Sequence, residues 1–109
     1  MKKVKTAVVG ASGYTGQELL RILLRHPGVE LVCATSRQYA GKPLSDVFPR
    51  FRNVPGAELQ FTDSDVAAIA ATGAEAAFLA LPHGVSASYG RGLVDAGIRV
   101  IDLSADFRL

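Results

Sequence analysis

Tryptophan is absent from this sequence and cysteine occurs once, at Cys33. A lone cysteine excludes a disulfide within the chain and points to a reducing compartment. Long apolar runs are missing too. No stretch approaches the roughly 20 residues that a bilayer span needs. The first apolar run, residues 6–9, is too short for the hydrophobic region of a signal peptide. A cytoplasmic location without membrane association is therefore expected. Excess charge is small, with a formal net charge of +2. The basic residues cluster only at Lys2, Lys3 and Lys5 and at Arg50 and Arg52, and no basic stripe is interleaved with aromatics. That argues against a nucleic-acid partner. Neither a Ser-His-Asp arrangement nor metal-ligand spacing appears, so no metal is expected.

What is present is an apolar, moderately charged chain: 49% of its residues are hydrophobic and 20% charged. That is the composition of an ordinary globular domain, and 109 residues suffice for one. Hydrophobic periodicity alternates between strand and helix. Residues 4–9 read as a β-branched strand, and Leu19, Leu20, Leu23 and Leu24 recur at helical spacing until His26-Pro27-Gly28 stops them. Residues 30–35 predict a second buried strand. Residues 36–57 hold Gly41, Pro43, Pro49, Pro55 and Gly56 without a period and read as a long irregular excursion. Such loops are usually functional or poorly ordered. Residues 59–61 predict a short strand. Thr62 and Asp63 are placed to cap a helix that runs to about Thr72 and is closed by Gly73. A strand at 75–81, a helix at 85–96 and a strand at 98–103 complete the order. Near-continuous apolar strands joined by helices predict an α/β fold of Rossmann type. This is a doubly wound, mostly parallel sheet with helices on both faces, one domain over 1–109.

Between the first strand and the first helix lies Gly10-Ala11-Ser12-Gly13-Tyr14-Thr15-Gly16. Glycine permits positive φ and close approach of backbone to ligand. A helix start presents unpaired N–H groups and a positive dipole end to an anion. Ser12 and Thr15 add hydroxyls. A strand before the turn and a helix after it are the context a dinucleotide fingerprint requires, so the turn is assigned to a pyrophosphate. The bland reading is a tight turn that needs small residues for packing. NAD sites usually place an acidic residue about 20 residues on, at the end of the second strand. Thr35-Ser36-Arg37 stands there instead. A hydroxyl and a guanidinium suit a 2′-phosphate, so NADP(H) is expected, with Ser36 and Arg37 as its ligands. The alternative is a solvated Arg37 with the acid elsewhere.

Ligands of such sheets bind beyond the carboxyl ends of the strands. Leu81-Pro82-His83-Gly84 lies at one such end, where Pro82 would wall the nicotinamide side. A lone loop histidine such as His83 more often makes a local hydrogen bond than serves as a base. After the last strand, Asp106 and Arg108 either form a hydrogen-bonded turn or shape a substrate site. Cys33 sits within Leu31-Val32-Cys33-Ala34, which predicts a buried, inert thiol. His26 falls at the end of the first helix, where the dipole favours a cation.

Taken together, residues 10–16 (GASGYTG), Glu18-Leu19-Leu20-Arg21, His26-Pro27, Thr35-Ser36-Arg37, Ala40-Gly41-Lys42, Leu81-Pro82-His83-Gly84 and 102–109 (DLSADFRL) resemble the N-acetyl-γ-glutamyl-phosphate reductases of arginine biosynthesis. The resemblance runs the length of the chain. Aspartate-semialdehyde dehydrogenases are similar in the glycine turn and near the last motif but fit less well at Tyr14-Thr15 and at residues 81–84. The resemblance implies an enzyme that uses NADPH to reduce an acyl phosphate to an aldehyde, with release of phosphate, through a cysteine thioester. It also implies cofactor contacts at Gly10, Ser12, Gly13, Tyr14, Thr15, Gly16, Ser36, Arg37 and Pro82. The family's nucleophilic cysteine lies in a Gly-Cys-Tyr-Pro-like segment and its histidine base further on, and neither segment is present here. No catalytic residue is therefore expected within this chain. It reads as the cofactor half of a longer enzyme with a small-molecule substrate. Apolar surface left for a second domain makes a homo-oligomer an expectation. Two alternatives share these motifs: an acyl-phosphate reductase of lysine biosynthesis, and a non-catalytic NADP-binding regulatory module.

Overall fold

A computed structural model describes residues 2–11, 13–63, 65–81 and 86–103. Four strands form one sheet: β1 (Val4–Val9), β2 (Val29–Ala34), β3 (Ala76–Leu79) and β4 (Arg99–Asp102). All pairings are parallel and the order is β2-β1-β3-β4. Helices α1 (Tyr14–Leu23), α2 (Leu44–Val47), α3 (Val66–Ala71) and α4 (Ser86–Asp95) connect them, with a 3₁₀ turn at Pro49–Phe51.

Alternation along the strands sends successive side chains to opposite faces. Val8 and Ala34 join Leu20 and Leu23 of α1 in one core cluster. Ala7, Val9, Cys33, Ala77 and Leu79 join Ile69 of α3 and Leu93 of α4 in the other. Both faces are thus covered, as a doubly wound sheet requires. The chain winds from β1 to β2 on one side and then crosses to β3 on the other. The carboxyl ends of β1 and β3 therefore flank the point where the winding reverses, which is where such sheets bind ligands.

Three sequence expectations are corrected. Residues 59–61 form no strand, because their hydrogen bonds are divided. Leu59 C=O accepts from Leu44 N–H, while Phe61 exchanges bonds with Gly41 and Lys42. Thr62 turns instead to the end of β2, so only isolated bridges result, Pro43 with Gln60 and Thr35 with Thr62. The cap of α3 is Asp65, whose carboxylate accepts from Ala67 N–H at 3.3 Å, and not Thr62 or Asp63. Thr62 is held extended by its two bonds to β2, so the helix starts later. Finally, the 36–57 excursion is a packed lobe. Leu44, Phe51 and Ala57 are buried in the α1-side core, and Tyr39, Phe48, Phe51 and Phe61 meet ring to ring at 5.9–6.4 Å. The closing glycines behave as expected, with Gly73 at φ +82° and Gly97 at +85°.

Candidate functional site

The glycine turn is stitched to the ends of two strands. Gly10 adopts φ +82°, and a Cβ there would lie 2.8 Å from the Leu81 side chain and 2.9 Å from Ala80 C=O, just past β3. Its N–H donates to Thr35 Oγ1 at 3.0 Å, and Ala11 N–H donates to Thr35 C=O at 2.8 Å. Gly16 lies on the backbone of Ala11: an added Cβ would fall 2.6–2.7 Å from three Ala11 main-chain atoms. These two glycines are needed for packing.

Gly13 is different. It is the N-cap of α1, with φ −75° and ψ 175°, and a Cβ built on it would meet nothing within 4 Å. Glycine supplies no side-chain acceptor, so the amides of the first turn keep their donors for another partner. Tyr14 beside it is 81% exposed, and Thr15 is half-buried. The helix start thus faces an open space at the carboxyl ends of the strands. That is the donor set and the clearance that a pyrophosphate needs, so the residues present fit a dinucleotide.

At the end of β2, Ser36 is buried and its Oγ accepts from Tyr39 N–H at 3.2 Å, while Arg37 is exposed. The fold therefore brings Gly10, Gly13, Tyr14, Thr15 and Gly16 to the carboxyl end of β1, next to Ser36 and Arg37 at that of β2. Ser12, Pro82, His83, Asp106 and Arg108 lie outside the described residues. Thr35, which stands in the sequence only as the residue before Ser36 and Arg37, holds the turn in place. Its signal was a threonine at the end of a buried strand, since a buried hydroxyl must find a partner.

Cys33 is 2% exposed. Burial pushes its thiol up from the ordinary value of 9.0, partly offset by the Thr62 hydroxyl at 3.8 Å. A neutral, buried thiol is a poor nucleophile. His26 lies past the far end of α1, where its Nδ1 accepts from Gly28 N–H at 2.9 Å. Among the described residues no His, Cys, Asp and Glu side chains group for a metal, and no helix is long and apolar enough to cross a membrane. A concavity of about 360 Å³ lined by Arg21, Leu24, Arg25, Arg50, Phe51 and Val54 sits on the later turns of α1. At 1.5 Å rise per residue that is roughly 12 Å or more from Gly13, so it is no part of the phosphate cradle.

Comparison with known proteins agrees with this geometry. Residues 5–109 match the family described as semialdehyde dehydrogenase, NAD binding domain. The chain is 83% identical over all 109 residues to an N-acetyl-gamma-glutamyl-phosphate reductase of Akkermansia muciniphila, of which it covers 31%. It is 55% identical over 107 residues, 98% of the chain, to a LysW-L-2-aminoadipate/LysW-L-glutamate phosphate reductase of Saccharolobus solfataricus, covering 30% of that protein. The chain thus spans about a third of the length of these relatives. Among solved structures, aspartate semialdehyde dehydrogenase with NADP from Candida albicans superposes with a TM-score of 0.79 at 22% identity, over 98% of this chain and 31% of that one. A Rex-family repressor superposes at 0.70 and 18% identity, over 93% and 45%. At such identities these two likenesses speak for the fold alone.

Proposed function

The chain belongs to the family of semialdehyde dehydrogenase NAD-binding domains, and on that premise we propose that it is the NADPH-binding half of an N-acetyl-γ-glutamyl-phosphate reductase. The observation that carries the reading is the 83% identity, over the whole chain, to a protein of that name. The enzyme would reduce the acyl phosphate to the semialdehyde, with release of phosphate. Its setting would be arginine biosynthesis in the cytoplasm. It would act on a small-molecule substrate as a homo-oligomer, without a nucleic-acid partner.

The open helix start at Gly13 supports the following division of labour. The first-turn amides of α1 hold the pyrophosphate, and the clearance over Gly13 admits it. Thr35 fixes the angle of the turn through its two bonds to Gly10 and Ala11. Ser36 and Arg37 take the 2′-phosphate, while Tyr14 and Thr15 line the phosphate path; Ser12 on that path and Pro82 on the nicotinamide side are assigned by the sequence and the family resemblance alone. When bound, the nicotinamide supplies the hydride. No nucleophile for the acyl group is assigned to this chain, because its cysteine is buried in β2. A second reading, a LysW-linked acyl-phosphate reductase, is supported by the 55% identity to such an enzyme. The two readings share this cofactor site. A regulatory NADP-binding module would share it as well.

Calorimetric titration with NADPH and NADH tests the site. NADPH is expected to bind at least about tenfold tighter, which is about 1.4 kcal/mol, and Arg37→Ala is expected to erase that preference. Equal affinities in the unaltered chain would refute the 2′-phosphate assignment.

A further inference from the structure

Although β2 carries no carboxylate at its end, the fold delivers one from elsewhere. Thr62 N–H donates to Ala34 C=O at 3.0 Å, and Ser36 N–H donates to Thr62 C=O at 2.9 Å. Thr35 and Thr62 are parallel bridge partners. Paired strands lie about 4.8 Å apart. The residues that follow the bridge therefore emerge at the same carboxyl edge of the sheet, Asp63 beside Ser36 and Arg37 one residue further on. Arg37 and Asp63 are both exposed. Neither side chain has a hydrogen-bond or ion-pair partner among the described residues.

Opposite charges at one edge of the sheet act on the two nicotinamide dinucleotides with opposite sign. A 2′-phosphate is a dianion that the Arg37 guanidinium attracts and a carboxylate repels, and the repulsion persists within a Debye length of about 8 Å at physiological salt. A 2′-hydroxyl is a donor that a carboxylate accepts. We propose that Asp63 is a specificity-determining residue that opposes Arg37, weakening the 2′-phosphorylated cofactor and favouring the unphosphorylated one. This rests on the cofactor reading above and adds to it the acidic half of the selectivity device.

The test is Asp63→Asn, titrated with NADPH and with NADH at low and high salt. NADPH is expected to bind about three- to fivefold tighter, the scale of one exposed charge pair, with NADH unchanged or weaker. The gain should shrink as salt rises. Asp63→Glu should behave like the unaltered chain. Against an Arg37→Ala background, the gain should persist for NADPH, because the repulsion does not need the guanidinium. Folding should not interfere, because Asp63 is exposed and the helix cap is Asp65. The inference is overturned if Asp63→Asn leaves both affinities unchanged or shifts them equally. If the unaltered chain binds neither dinucleotide, the cofactor reading itself falls, and the inference falls with it.

Discussion

Two connections leave neighbouring strands of this sheet at the same end, and they are built on different principles. The turn after β1 is seven residues of short-range steric necessity: Gly10 and Gly16 sit where a side chain would strike backbone. The connection after β2 spans residues 36–57 and has no repeating pattern. It is held by side chains that converge from separate turns, with Phe61 buried against Tyr39 and Phe48. A site can thus be specified by backbone clearance on one side and by long-range packing on the other. The proposed function divides in the same way: the steric turn would present amides to a pyrophosphate, and the packed lobe would support the end of β2 where the 2′-position is read.

Breaking the packed lobe should have the largest effect. Phe61→Ala removes a 1%-exposed ring from the aromatic cluster. It is expected to cost about 3–5 kcal/mol in unfolding free energy, measured by urea denaturation. A loss below about 1 kcal/mol would mean that the aromatic cluster does not hold the lobe together.

The steric turn yields a sharper contrast between two of its own residues. Gly16→Ala forces a methyl group to 2.6–2.7 Å from the Ala11 backbone. A loss of about 2–3 kcal/mol is expected, together with the loss of dinucleotide binding. Gly13→Ala adds a methyl group in open space. Its stability cost should stay within about 1 kcal/mol, the usual scale of an N-cap change. Dinucleotide binding should nevertheless fall, because the methyl group occupies the phosphate clearance. Thermal unfolding and titration of both variants separate packing glycines from ligand glycines. Unaltered binding in Gly13→Ala would return that glycine to a structural role.

The smallest effect concerns Cys33, which lies on β2 and faces the other core. Its thiol is held above 9.0 by burial. Well below pH 9 both native and unfolded chains carry the neutral thiol, and the proton-linked penalty is negligible. Above it the unfolded chain ionises first and binds fewer protons than the native one, so stability falls as pH rises, by at most about 1.4 kcal/mol per pH unit. Denaturation midpoints from pH 8 to pH 10 should therefore decline less steeply in Cys33→Ala than in the unaltered chain. Parallel slopes would show that Cys33 does not contribute.

The residues alone were enough for everything decided within a few positions. The strand at Val4–Val9, the leucine face of α1, the stop at His26-Pro27-Gly28 and the closing turns at Gly73 and Gly97 are all present as expected. So are the parallel sheet and the place of the glycine turn upon it. Strand steric preference, helical periodicity and the conformational freedom of glycine act locally, and local causes leave local traces. Choices between distant partners left no such trace. Residues 59–61 have the composition of a strand, but their hydrogen bonds go to residues 41–44 while Thr62 pairs with Thr35. The bridge of Thr62 to Thr35 leaves the cap of α3 to Asp65 and brings Asp63 to the edge that carries Ser36 and Arg37, and Thr35 holds Gly10 from 25 residues away. Each of those outcomes depends on which chain segments meet across 20 or more residues, a matter settled by packing both faces of the sheet at once.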